Sequence, residues 1–165
     1  MNIRHAQLSE LDAIMGIFEA AKTYMYSVGN TNQWGKDYPS RKLIEQEIAA
    51  GHFYVIEQGG EPVGVFSFDV AVEPTYAVVE DGAWLYDEPY GVVHRLASNG
   101  LAKGVSDCCF AWCKAQHNYL RVDTHCDNAT MLQAIERQGF VYSGIITLSR
   151  NGDKRMAFEW YMPRN

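Results

Sequence analysis

One stretch constrains the fold more than any other: "GVVHRLASNGLAKGVSDCCFAWCKAQHNYLRVDTH", residues 91–125. It reads as a strand (GVVHRLA), a polar glycine-bearing loop, a helix from Gly104 to Gln116, and a second strand (YLRVDTH). A strand–helix–strand unit of this length closes as a right-handed crossover, which makes its two strands parallel. Glycine-turned hairpins flank the unit, with Gly59-Gly60 before it and Asn151-Gly152 after it. Hairpins force antiparallel pairing. The sheet must therefore be mixed, and the class is α+β.

The remaining elements follow from periodicity and punctuation. "NIRHA" reads as a strand. Leu11, Ile14, Met15, Phe18 and Ala21 repeat at helical spacing, with Ser9 as the expected N-cap and Asp12 three residues on. Ser40 is expected to cap a second helix, "RKLIEQEIAAG", stopped by Gly51. Asn128 opens a third run, "ATMLQAIERQ", ended by Gly139. Asp69 to Tyr90 is the least regular part, with Tyr76, Trp84, Tyr86 and Tyr90 set among Glu73, Glu80, Asp81, Asp87 and Glu88. The predicted order is β-α-α-β-β-β-α-β-α-β-β in a single domain over residues 1–165.

Composition narrows the function classes. A net charge of −6 argues against a phosphate-backbone binder, because nothing resembles a basic face. No apolar run reaches membrane-spanning length, and the first residues lack a secretory core. Cys108, Cys109 and Cys113 crowd one helix, which suits reduced thiols and a cytoplasmic setting better than a disulfide framework. Cys109, Cys113 and His117 share a helical face and could hold a metal. Val105, Cys108, Cys109, Trp112 and Ala115 make an apolar stripe there instead, and no CxxC or HExxH pattern accompanies them, so no metal site is expected.

The polar loop before the helix holds Ser98, Asn99, Gly100, Lys103 and Gly104. Helix N-termini leave several N–H donors unpaired and favour anions, so this mouth could hold a phosphate or could be a plain connector. The element order, "LAKGVS" (Leu101, Ala102, Lys103, Gly104, Val105, Ser106) and "DNATMLQAIERQGF" resemble the GCN5-related N-acetyltransferases over nearly the whole chain. The family's loop reads Gln/Arg-x-x-Gly-x-Gly/Ala. Gly104 matches, whereas Leu101 and Ser106 depart from it. Asn128 and Gly139-Phe140 match the later signature, and Ile135 stands where a tyrosine is expected.

The resemblance implies a mostly antiparallel mixed sheet whose central parallel pair splays around acetyl-CoA, flanked by helices. It implies cofactor contacts from Leu96, Ala97 and Ser98 on the strand, from Leu101 to Ser106 in the loop, and from Asn128. Asn128 is equally suited to capping its own helix. The partners implied are acetyl-CoA and an amine acceptor, with neither nucleic acid nor membrane, and a homodimer is allowed. Transfer to an amine needs a proton acceptor. His94 on the candidate strand is the first choice, because histidine ordinarily titrates near neutral pH; Glu80, Asp87, Glu88 and His125 are reserves. Without a hydroxyl at Ile135 the CoA thiolate would leave unaided or through another group. Trp34, Tyr76, Trp84 and Tyr90, interleaved with carboxylates, suit a cationic amine carrying apolar surface, or else roof the core. The alternative to an enzyme is a catalytically silent acyl-CoA-binding domain.

Overall fold

The computed structural model describes residues 1–163. Seven strands form one sheet in the order β1-β2-β3-β4-β5-β7-β6. They are β1 (Asn2–His5), β2 (Phe53–Gln58), β3 (Glu61–Val70), β4 (Gly91–Ser98), β5 (Tyr119–Thr124), β6 (Val141–Thr147) and β7 (Lys154–Tyr161). The helices are α1 (Leu11–Ser27), α2 (Arg41–Ala49), α3 (Val105–Gln116) and α4 (Ala129–Arg137). Only β4 and β5 pair in parallel; the other neighbours are antiparallel. This is the predicted mixed sheet with a parallel pair at its centre.

Strand alternation sends apolar side chains to both faces. Ile56, Phe66, Leu120 and Val122 pack with α3 and α4 through Val105, Cys109, Phe110, Cys113 and Ile135. Val55 and Val65 point the other way and join Ile14, Phe18 and Ile44 of α1 and α2. Beyond them on that face, the segment 71–90 covers Val92, Tyr119 and Ala157 with Tyr76 and Tyr90.

Two local expectations change. The Ser9 cap gives way to a 3₁₀ turn at Leu8–Glu10, in which the Glu10 carboxylate accepts from the Gln7 N–H at 2.9 Å. Arg4 donates to the same carboxylate at 2.6 and 2.9 Å, anchoring α1 to the edge strand and holding Glu10 below the usual carboxylate range. On α3, Ala115 is exposed, while Phe110 and Cys113 join Val105 and Cys109 inside. Burial among these side chains pushes the Cys109 thiol well up, as expected of a packing residue rather than a thiolate ligand. The Ser40 cap forms as expected, accepting from Leu43 N–H at 3.1 Å.

Candidate functional site

The site begins where the parallel ladder stops. β4 and β5 are registered only at Gly91↔Leu120 and Val92↔Arg121, and then the two strands diverge. On its other edge β4 stays paired with β3 as far as Ser98, through a bulge between Val65 and Ser67. Arg95 sits in the bulge at φ +55°, a left-handed conformation that costs a non-glycine residue about 1–2 kcal/mol. Its guanidinium is tied down, with Nε donating to the Tyr38 hydroxyl at 3.1 Å and Nη1 lying 3.4 Å from Glu47.

A cavity of about 270 Å³ runs through the sheet at this divergence. One end is apolar, with Val93, Phe110, Val122 and Ile135; the other holds Trp34, Tyr38, Glu73, His94, Asp123, Arg150 and Arg155. His94 Nε2 stands 3.4 Å from Glu73 Oε2, both side chains being largely buried. The His94 contact, with help from the Thr75 N–H, lowers the Glu73 carboxyl to about 2. A histidine with a carboxylate on its far nitrogen has the wiring of a general base with an orienting partner.

The Tyr76 hydroxyl donates to Asp123 at 2.7 Å, and burial together with that carboxylate pushes the phenol well above its ordinary value. Tyr76 therefore stays protonated as a donor. Arg155 enters from β7. Its guanidinium is buried, donating to the Gln33 carbonyl at 2.7 Å and the Lys154 carbonyl at 3.0 Å.

The loop ahead of α3 ends at Gly104, which is the N-cap at φ +77°. A side chain there would meet nothing within 4 Å, so backbone conformation rather than space demands glycine. Gly104 offers no capping side chain, and the first helical bond closes from the Cys108 N–H to its carbonyl. The N–H groups of the first turn are left for another acceptor. Leu101, Lys103 and Gly104 are exposed around this mouth.

Asn128 does more than one job. Its Oδ1 accepts from Met131 N–H at 3.0 Å as the α4 cap, its Nδ2 donates to Gln33 at 2.7 Å, and it lines the cavity. Ile135 is buried against the same space.

Of the residues the sequence singles out, Trp34, His94, Leu96, Asn128 and Ile135 meet at this cavity. Ala97 is buried against α1 and α2 on β4. Tyr76, Trp84 and Tyr90 line a second, adjoining cavity of about 730 Å³, which shares Glu73 with the first. The rings of Trp84 and Tyr90, with that of Tyr119, face Arg121, whose guanidinium carbon lies 4.1 Å from the Trp84 centroid, 3.9 Å from Tyr90 and 5.2 Å from Tyr119. That aromatic cage already holds a cation of the chain's own.

The reserves lie elsewhere. Glu80 pairs with Lys154 at 2.7 Å, Asp87 and Glu88 line the second cavity, and His125 Nδ1 accepts from the Asp127 N–H at 3.0 Å. Asp123, Arg150 and Arg155 are functional candidates that sequence reading missed. The available signal was charged residues in the inward phase of a strand, Arg155 and Glu159 around Ala157.

The sequence model described as "Acetyltransferase (GNAT) family" matches residues 14–140. The chain belongs to that family. Among solved structures, an acetyltransferase of the GNAT family from Streptococcus agalactiae 2603 is similar over 99% of this chain and 96% of its own, with a TM-score of 0.90 and 27% identity. The ribosomal-protein-alanine N-acetyltransferase from Brucella melitensis has the same fold at TM-score 0.65 and 17% identity, covering 98% of this chain and 100% of its own. The GNAT-like decarboxylase GphF, solved with isobutyryl-CoA, does so at TM-score 0.68 and 15% identity, covering 98% and 99%. Comparison with curated proteins gives no match. The sheet with its splayed parallel pair is thus the GNAT fold, as the resemblance implied.

Proposed function

We propose that this GNAT protein transfers an acetyl group from acetyl-CoA to a primary amine by direct attack while both are bound. One observation carries the reading: a single cavity joins the gap between β4 and β5 to the His94–Glu73 pair. The donor would lie along the unpaired edge of β4 at Val93 to Ser98, with its pyrophosphate on the first-turn N–H groups of α3 between Leu101 and Ser106. GphF, which holds isobutyryl-CoA, supports a CoA thioester in this fold.

In this reading His94 takes the proton from the attacking amine while Glu73 orients the ring and balances the imidazolium. A strand N–H beside the bulge faces the thioester oxygen, and removing one such donor typically costs about 10²–10³ in rate. Asn128 positions Gln33 at the reacting end. Trp34 walls the acceptor side, and Tyr76, Trp84 and Tyr90 hold the covering segment in place. Ile135 offers no proton, so the thiolate leaves unaided, which a thiol's acidity permits. Reduced cysteines, two of them buried on α3, fit a cytoplasmic home for this chemistry.

The buried, hydroxyl-free Ile135 is also the observation that favours a silent acyl-CoA binder. A panel of amines screened for thiol release from acetyl-CoA separates the readings. Turnover above hydrolysis that falls about 10²–10⁴-fold in His94→Ala, with acetyl-CoA affinity kept, supports transfer. Binding of acetyl-CoA without turnover on any amine supports the silent binder.

A further inference from the structure

The polar end of the cavity carries charges of both signs. Glu73 is matched by His94, and Asp123 accepts from Tyr76 and also acts on Arg155. Three guanidinium groups line the same end, and they are not equally spent. Arg95 is matched by Glu47 at 3.4 Å and by the Tyr38 hydroxyl. Arg155 is nine-tenths buried, but its donors go chiefly to the neutral carbonyls of Gln33 and Lys154, with Asp153 no nearer than 3.8 Å. Arg150 lies 3.8 Å over the Tyr38 ring and, among the described residues, has no carboxylate partner.

Desolvation pulls the Arg155 guanidinium below its ordinary value; the Asp123 and Asp153 carboxylates oppose that pull, and the like charge of Arg150 adds to it. Arg150 and Arg155 line the same cavity, so an anion lying between them is attracted by both charges. A planar guanidinium matches a carboxylate with paired N–H bonds. The space is small, and the donor's acyl end takes part of it.

We propose that the acceptor is a small amino-carboxylate, an α-amino acid or a molecule of that size, with its carboxylate on Arg150 and Arg155 and its amine beside His94. This inference rests on the transfer reading for the role of the amine, whereas the anion pocket stands on the arginines alone. In the reaction the amine nitrogen forms a bond to the acyl carbon, and the carbon–sulfur bond breaks. The amino group, an ammonium in solution, gives one proton through His94 to solvent before it attacks and a second by the same path once the new bond has formed, and CoA leaves as the thiolate. An amide or ester in place of the carboxylate keeps the amine and loses the charge pairing.

The test compares amino acids with their amides, matched side chain by side chain, as acceptors and as ligands titrated calorimetrically into the protein with CoA. The expected result is a kcat/KM for the acids about 10–100-fold above that for the amides, set mainly through KM. Arg150→Gln changes an exposed side chain and should bring that ratio at least tenfold closer to one, while Arg150→Lys retains part of it. Amides that serve as well as acids, or an unchanged ratio in Arg150→Gln, would overturn the proposal. Absence of turnover with every amine removes the transfer reading only. The calorimetric preference for acid over amide, and its loss in Arg150→Gln, then decides the anion pocket.

Discussion

The phenolic oxygen of Tyr90 accepts a hydrogen bond from the backbone N–H of Glu73 at 3.0 Å. The ring that packs on Arg121 thereby fixes the residue that faces His94. Tyr90→Phe keeps the ring and deletes the acceptor, leaving the Glu73 N–H unpaired. The expected cost is about 1–2 kcal/mol of stability, with kcat reduced several-fold and the KM for acetyl-CoA unmoved. Denaturant titration and steady-state kinetics on the purified variant check both. An unaltered kcat would detach this hydrogen bond from the site.

Glu73 makes a pH signature. Its carboxyl ordinarily titrates at 4.5 and in the fold at about 2, so the folded state favours the charged form. The resulting stability is present above pH 4.5 and disappears as pH falls toward 2. At about 1.4 kcal/mol per unit the upper bound is about 3.5 kcal/mol, and partial exposure reduces it to about 1–2 kcal/mol. Wild type should therefore lose stability faster than Glu73→Gln across that window. Melting curves from pH 5 to pH 2 with parallel slopes for the two proteins would contradict this.

The α3 mouth supplies a binding signature. Acetyl-CoA at about 100 times Kd should stabilise the protein by about 2.7 kcal/mol, or very roughly 5–10 °C in Tm. Adenosine, lacking phosphate, should give much less. Lys103→Glu inverts the charge at an exposed position and should abolish most of the shift with little effect on the free protein. Gly104→Glu is a poorer probe than Lys103→Glu, because φ +77° adds about 1–2 kcal/mol of strain to any side chain. Equal melting curves with and without acetyl-CoA would remove the cofactor site.

Gly91 tests the joint between β4 and β5. A Cβ there would come within 2.7 Å of the Phe68 ring and 2.8 Å of Leu120, both in the core. Gly91→Ala should cost about 1–3 kcal/mol by overpacking. Comparison with Gly59→Ala, where nothing lies within 4 Å, separates crowding from backbone strain.

Much of the fold was legible because its signals are local. The Gly59-Gly60 turn, the Ser40 cap and the crossover from β4 to β5 each announce themselves within a few residues. The proposed cofactor mouth and His94 could be picked out for the same reason, lying on one loop and its strand. The polar end of the cavity could not. Glu73, Asp123, Arg150 and Arg155 come from four separate stretches, and only the sheet brings them together. Of the rings expected to suit a cationic amine or else to roof the core, Trp84 and Tyr90 pack, with Tyr119, on Arg121, which sits on a strand some thirty residues on, so sequence spacing could not reveal that neighbour. The Ser9 cap failed on competition, since Glu10 was recruited by Arg4 of the neighbouring strand.

The ladder between β4 and β5 has two rungs, whereas every other neighbouring pair of strands has at least four. The sheet is therefore two well-knit panels stitched at one corner, and the free protein carries an open seam through its middle. On the transfer reading, the amide-bearing arm of the donor is short, extended and hydrogen-bonding, and it would serve as a borrowed strand that finishes the weave. Those amides between Val93 and Leu96 that point away from β3 should then exchange with solvent readily before the donor arrives and slowly once it has. The substrate would be the last piece of secondary structure to form, and each turnover would unpick it.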